Sequence, residues 1–178
     1  LQSIANSLDR LVKKEKITPQ DKFDTLARIK QSTSYSDLKD LPLVIEAATE
    51  NKELKEKIIK LISDVVSPNT IIASNTSSLS VTELAALDQH PERVIGMHFF
   101  NPPPLMALVE IIRGLQTSDA THETIYKLAK QIGKEPITVK NSPGFVVNRI
   151  LVPMINEAFF VLAEGLASPE DIDAGMKL

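Results

Sequence analysis

Two apolar patterns alternate along this chain. From Leu1 to Lys14 the apolar residues Ile4, Leu8, Leu11 and Val12 recur at the spacing of one helix face. Thr18-Pro19-Gln20-Asp21 opens a second helix, with Thr as cap, Pro in the first turn and an acid three residues after the cap. Its apolar face runs through Phe23, Leu26 and Ile29, and Ser32 to Ser34 is expected to be a short strand or a connector. Leu41 to Ala48 differs in kind: a nearly continuous apolar run, predicting a buried strand. Asn51 to Val66 returns to helical spacing, with Leu54, Ile58, Leu61, Ile62 and Val65 facing inward. A strand at Thr70 to Ser74, a polar turn at Asn75 to Ser78 and a short helix at Thr82 to Leu87 follow. Strands at Val94 to Met97 and Leu108 to Ile112, a helix from Ser118 to Ile132 stopped by Gly133, and a strand at Ile137 to Val139 complete the alternation.

Apolar strands between amphipathic helices predict a mostly parallel α/β sheet. Ser142-Pro143-Gly144 marks a change of style. Beyond it only helices are expected: a long apolar one from Phe145 to Glu164, bent at Pro153, then one opened by Ser168-Pro169-Glu170-Asp171. A helix apolar on nearly every side belongs in a deep core or a subunit interface. The expected division is therefore 1–141 for the sheet and its helices, and 142–178 for the start of a helical domain.

Composition removes function classes. The 178 residues, 43% hydrophobic and 24% charged, are those of a soluble globular protein of one domain, or one and part of another. A net charge of -3 gives no electrostatic case for nucleic acid. With no cysteine there is no disulfide scaffold, thiol nucleophile or thiolate metal site, and three scattered histidines argue against zinc. No metal is expected. The longest apolar stretch, Ile150 to Leu162, is broken by Pro153, Asn156 and Glu157 and is not read as a membrane span. A cytoplasmic protein is expected. The chain opens at Leu1 inside a helix, so a preceding segment is expected.

The candidate chemistry sits at strand ends. Val94-Ile95-Gly96-Met97 delivers His98 to a strand tip, followed by the stiff Asn101-Pro102-Pro103-Pro104. Glu110 stands alone between Leu108-Val109 and Ile111-Ile112. A buried carboxylate without a partner is costly. An imidazole that takes up a proton and a carboxylate that orients it account for both positions together. Open α/β sheets bind ligands at the C-terminal ends of their parallel strands. Thr49-Glu50, Asn75-Thr76-Ser77-Ser78, and His98 with Asn101 gather there. Asn148, one turn into the long apolar helix, is an amide that needs a partner or a ligand. Each position also has a plainer reading. His98 can be a satisfied structural residue, Glu110 an ion-pair partner, Ser77 one member of a serine-rich turn, and Asn148 a satisfied buried amide. Glu50 and Lys55 can be a pair on a solvated helix face. His90 and His122 read as surface residues. The residues alone name no reaction.

Ser74-Asn75-Thr76-Ser77-Ser78-Leu79, His98-Phe99-Phe100-Asn101-Pro102, Leu108-Val109-Glu110 and Pro143-Gly144-Phe145-Val146-Val147-Asn148-Arg149 together closely resemble the L-3-hydroxyacyl-CoA dehydrogenase family. The likeness is strongest to its short bacterial 3-hydroxybutyryl-CoA dehydrogenases and covers essentially the whole chain. The resemblance implies an oxidoreductase interconverting (S)-3-hydroxyacyl-CoA and 3-oxoacyl-CoA with NAD, or NADP. It implies that His98 takes the 3-hydroxyl proton, that Glu110 orients the imidazole, and that Ser77 and Asn148 hydrogen-bond the substrate. Glu50, Lys55, Ser77 and Asn101 match cofactor-contacting positions. Ser7 and Lys14 match positions near the coenzyme A moiety, and a homodimer through the helical domain is implied. The family begins with a strand and a glycine-rich turn that cradles a pyrophosphate, which nothing here matches. The expected fold is thus a partial doubly wound (Rossmann-like) sheet lacking its first strands, followed by the start of an all-helical C-terminal domain. Its strand near Leu43 is expected to be an unpaired edge. Two alternatives stay open: a sugar-acid dehydrogenase of the lambda-crystallin branch, which keeps His98 and Glu110 without a coenzyme A hairpin, and a non-catalytic binding or structural module.

Overall fold

The Thr18 hydroxyl accepts from Asp21 N at 3.1 Å, and the Asp21 carboxylate accepts from Thr18 N at 2.8 Å. This reciprocal cap starts helix α2 (Pro19–Ala27), which follows helix α1 (Gln2–Lys13). The structure, a computed structural model, describes all 178 residues in two compact units, Leu1–Asp37 and Leu38–Leu178. In the first unit, Lys22 of α2 reaches Asp9 of α1, and neither helix has a buried residue. Ser32 to Ser34 forms no strand and serves as a connector.

The second unit alternates as its apolar pattern requires. It runs β1 (Leu43–Glu46), α3 (Lys52–Ser63), β2 (Ile71–Ser74), α4 (Val81–Ala85), β3 (Val94–Phe99), β4 (Leu108–Arg113), α5 (Asp119–Gln131), β5 (Glu135–Lys140), α6 (Val147–Ala163) and α7 (Pro169–Lys177). The strands lie side by side in chain order. Three of the pairings are parallel, with helices in their connections. β3 and β4 are antiparallel. Their link, residues 100–107, is too short for a crossover, which takes a dozen residues or more.

Successive strand residues alternate between two cores. Ile72 and Val94 pack with Ile59, Ile62 and Leu84 on one face. Ala73, Ile95 and Met97 pack with Ile125 and Ala129 on the other. Burial on both faces is why these strands are apolar throughout. β1 is an edge, paired only to β2, with Ile45 exposed. A Cβ at Gly96 would stand 2.8 Å from Ile112 Cβ and 3.0 Å from Val81 Cγ2, so this position of β3 admits no side chain without movement.

Asn51, Ser80, Ser118 and Ser168 cap α3, α4, α5 and α7 by accepting a backbone N–H three residues on. α6 starts differently. Gly144 at φ +73° and Phe145 at φ +52° turn the chain, so the helix begins at Val147 instead of Phe145, and its N-cap residue Val146 makes no side-chain cap. α6 continues through Pro153, and none of its residues is buried.

Candidate active site

Antiparallel pairing of β3 and β4 sets His98 directly opposite Glu110. Opposed residues project to the same face of a sheet. His98 Nδ1 lies 2.8 Å from Glu110 Oε2; the carboxylate is wholly buried and the imidazole nearly so. The other carboxylate oxygen, Oε1, accepts from Val146 N and Val147 N, each at 3.0 Å. Glu110 is therefore the missing cap of α6, supplied from a strand. A carboxylate is favoured at the positive end of a helix, and these bonds satisfy its burial. With the carboxylate as its neighbour, Nδ1 carries the proton of the neutral ring, and Nε2 keeps its lone pair. The rings of Phe100 and Phe145 flank the imidazole at centroid distances of 4.7 and 5.6 Å.

The turn after β2 is pinned at almost every residue. Ser74 donates its hydroxyl to Glu46 Oε2 at 2.9 Å, and Asn75 N donates to Glu46 O at 2.8 Å. Asn75 Oδ1 accepts from Phe99 N at 2.8 Å, tying this turn to the residue after His98. Thr76 donates its hydroxyl to Glu50 Oε1 at 2.9 Å, and Ser77 N donates to the same oxygen. The Ser77 backbone is thus held while its hydroxyl takes no part in these bonds. Behind the turn, Lys55 is 1% exposed and bonds Glu46, with Glu50 Oε2 at 3.7 Å. Lys55 does not lie on a solvated helix face. Its ammonium is buried between two carboxylates because its helix starts directly over the end of β1.

Ser77, Ser78, Gly144, Asn148, Arg149 and Pro153 line a cavity of about 510 Å³. Asn148, the second residue of α6, thus shares a cavity wall with Ser77. His98 is not part of this wall, but Phe145, next to Gly144, packs against its ring. Asn101 is exposed in the bend after β3. Ser7 and Lys14 are exposed on the first unit, two turns apart along α1 and its C-cap. Glu50 is exposed, with one carboxylate oxygen on the turn that carries Ser77. None of the six glycines falls in a G-x-G-x-x-G pattern suited to a pyrophosphate.

Sequence reasoning placed Asn75 and Thr76 in the polar turn without foreseeing their bonds, and it missed Glu46 as the partner of Lys55 and Ser74, and the two α6 N–H groups on Glu110. The signal for Glu46 was present: like Glu110, it is a carboxylate inside an apolar strand and demands a partner.

Residues 1–142 match the family description "3-hydroxyacyl-CoA dehydrogenase, NAD binding domain", and residues 144–178 match "3-hydroxyacyl-CoA dehydrogenase, C-terminal domain". The chain belongs to the 3-hydroxyacyl-CoA dehydrogenase family. Its sheet is the Rossmann-like domain of 3-hydroxyacyl-CoA dehydrogenases, and α6 and α7 are part of their helical C-terminal domain. A 3-hydroxybutyryl-CoA dehydrogenase of Clostridioides difficile is 50% identical over 172 residues, 97% of this chain and 61% of that protein. A fatty acid oxidation complex subunit alpha of Acinetobacter baylyi is 45% identical over 177 residues, 99% of this chain and 24% of that protein. The crystal structure of (S)-3-hydroxybutyryl-CoA dehydrogenase PaaH1 from Ralstonia eutropha, 69% identical, superposes with a TM-score of 0.97 over 99% of this chain and 62% of that one. The chain spans roughly three fifths of the length of the 3-hydroxybutyryl-CoA dehydrogenases it matches.

Proposed function

We propose that this chain carries the proton-handling and substrate-holding groups of an NAD-dependent (S)-3-hydroxyacyl-CoA dehydrogenase. The observation that carries the reading is the buried His98–Glu110 hydrogen bond, which leaves Nε2 as a base. NAD, when bound, supplies the acceptor for hydride from the 3-carbon. His98 Nε2 takes the proton of the 3-hydroxyl and returns it in the reduction direction. Glu110 holds the ring and balances the imidazolium that forms. A positioned histidine base is worth about 10²–10⁴-fold in rate.

The Ser77 hydroxyl and the Asn148 amide hold the substrate oxygens, a role supported by their shared cavity. Glu50, Ser77 and Asn101 serve the cofactor, with Lys55 acting beside Glu50. Ser7 and Lys14 serve the coenzyme A portion. The functional boundary falls between residues 141 and 142, where the chain leaves β5. A cytoplasmic homodimer through the helical domain completes the reading. Its support is the apolar character of α6 and α7, where Met154, Phe159, Leu162 and Met176 line an open groove of about 310 Å³. No helix is long and apolar enough to cross a membrane.

The test is reduction of acetoacetyl-CoA by NADH with the full-length protein and its His98→Gln variant. Loss of about two to four orders of magnitude in turnover is expected, with little change in thioester affinity. Near-normal turnover by the variant removes His98 from the mechanism.

A further inference from the structure

The parallel ladder between β2 and β3 ends where Ser74 meets Gly96, yet β3 runs on through Met97 and His98 to Phe99. On one side this tip stays paired with β4, His98 opposite Glu110 and Phe99 opposite Val109. On the other side β2 has ended. A strand tip with an open flank has a backbone N–H to satisfy and a direction in which to swing. Asn75 closes that flank with a side chain, its Oδ1 accepting from Phe99 N at 2.8 Å. Its own backbone is fixed, because Asn75 N donates at 2.8 Å to the carbonyl of Glu46, the last residue of β1. The side chain is therefore a short strap from the end of β1 across to the tip of β3.

The strap joins two groups of the site. Ser77 follows Asn75 by two residues, and His98 precedes Phe99 by one. The turn is stiff: Thr76 Oγ1 and Ser77 N both donate to Glu50 Oε1, and Thr76 Oγ1 accepts from Leu79 N at 2.9 Å. The serine turn is thus held as a body with Asn75, as the imidazole is with Phe99. We propose that Asn75 is a positioning residue that sets the distance between the Ser77 hydroxyl and the His98 imidazole. The proposal rests on the reading of His98 as the base and Ser77 as a holder of a substrate oxygen. A base must come within about 2.6–3.2 Å of the oxygen whose proton it takes. Glu110 fixes how the ring is turned, through Nδ1. Asn75 fixes where the strand tip that carries the ring sits relative to the held substrate.

The experiment measures NADH-dependent reduction of acetoacetyl-CoA by the full-length protein and its Asn75→Leu and Asn75→Asp variants. Leucine matches asparagine in size and lacks the acceptor; aspartate keeps it. In Asn75→Leu, kcat should fall by up to about 10²-fold, the cost of a misplacement of about 1 Å. KM for both substrates should change little, and the pH profile should keep its midpoint, because the His98–Glu110 pair is intact. Asn75→Asp, compared at the optimum of its own pH profile, should recover most of the loss. Unchanged kcat in Asn75→Leu, with His98→Gln impaired, overturns this proposal alone. A loss in Asn75→Asp equal to that in Asn75→Leu also overturns it, since the amide NH₂ would then be the working group. So does a change confined to KM, which would mark a binding contact. If Asn75→Leu does not fold, Asn75→Ala lacks the same acceptor and carries the same expectations. Unchanged turnover in His98→Gln instead overturns the reading of His98 as the base, and this proposal with it.

Discussion

The ammonium of Lys55 lies against the carboxylate of Glu46, each side chain only 1% exposed. Burial pushes the Glu46 carboxyl up, but the Lys55 ammonium, the Ala48 N–H and the Ser74 hydroxyl outweigh it and hold the group below its ordinary range. A depressed carboxylate contributes stability that is complete at neutral pH. That contribution fades as pH falls through the ordinary carboxylate range and is gone below the folded value.

Glu46→Gln leaves Lys55 buried with only Glu50 nearby. At neutral pH it should lose about 3–5 kcal/mol in urea unfolding. The gap to the unaltered protein should narrow as pH falls through the carboxylate range. A gap independent of pH would show that the ion pair does not titrate as described.

Glu110→Gln tests both oxygens of one carboxylate. With its amide oxygen kept on Val146 N and Val147 N, its NH₂ group faces His98 Nδ1. That donor forces the ring proton onto Nε2 and removes the base. Turnover should fall by about 10²–10⁴-fold. The loss of charge at the start of α6 should also cost up to about 2 kcal/mol in thermal unfolding. A variant with full turnover and lower stability would make Glu110 a helix cap only.

Just before β3, far from its His98 end, Arg93 Nε lies 3.1 Å and Nη2 2.9 Å from Asp88 Oδ2, and both residues are buried. The Arg93 guanidinium also donates to Ser67 O. Arg93→Met strands the Asp88 carboxylate and should cost about 3–5 kcal/mol in chemical denaturation. KM and kcat of the folded fraction should stay unchanged. A shift in KM would mean that this clamp reaches the substrate cavity.

Gly96→Ala should cost about 1–3 kcal/mol, because its Cβ would press on Ile112 Cβ from a strand that cannot move without disturbing its two neighbours. Differential scanning calorimetry gives the answer directly, and an unchanged melting temperature would show that α4 and β4 can yield at this point.

Much of the fold was legible because its signals are local. Apolar runs at Ile71 and Val94 mark strands buried on both faces, the run at Leu43 marks an edge strand buried on one, and Thr18 and Ser118 announce helix starts by residue type alone. The start of α6 was not legible. Phe145 takes a left-handed conformation that a bulky residue rarely adopts, and only tertiary packing imposes it. The antiparallel turn between β3 and β4 follows from the short link, a length argument that apolar pattern does not contain. In the site, the Glu110 bond to His98 followed from two oddities with one explanation. Its bonds to Val146 and Val147 were invisible, because any residue can present a backbone N–H. Glu46 went unseen because Lys55 lies on the next helix, outside the helical spacings by which charge pairs are recognised.

Glu110 gives one oxygen to an imidazole and the other to a helix end. The seating of α6 and the posture of His98 are therefore a single mechanical variable. A contact that tilts α6 is transmitted through one rigid carboxylate to Nδ1. The strand behaves as a fulcrum, with the proton-transfer ring on one arm and the helix bearing Asn148 on the other.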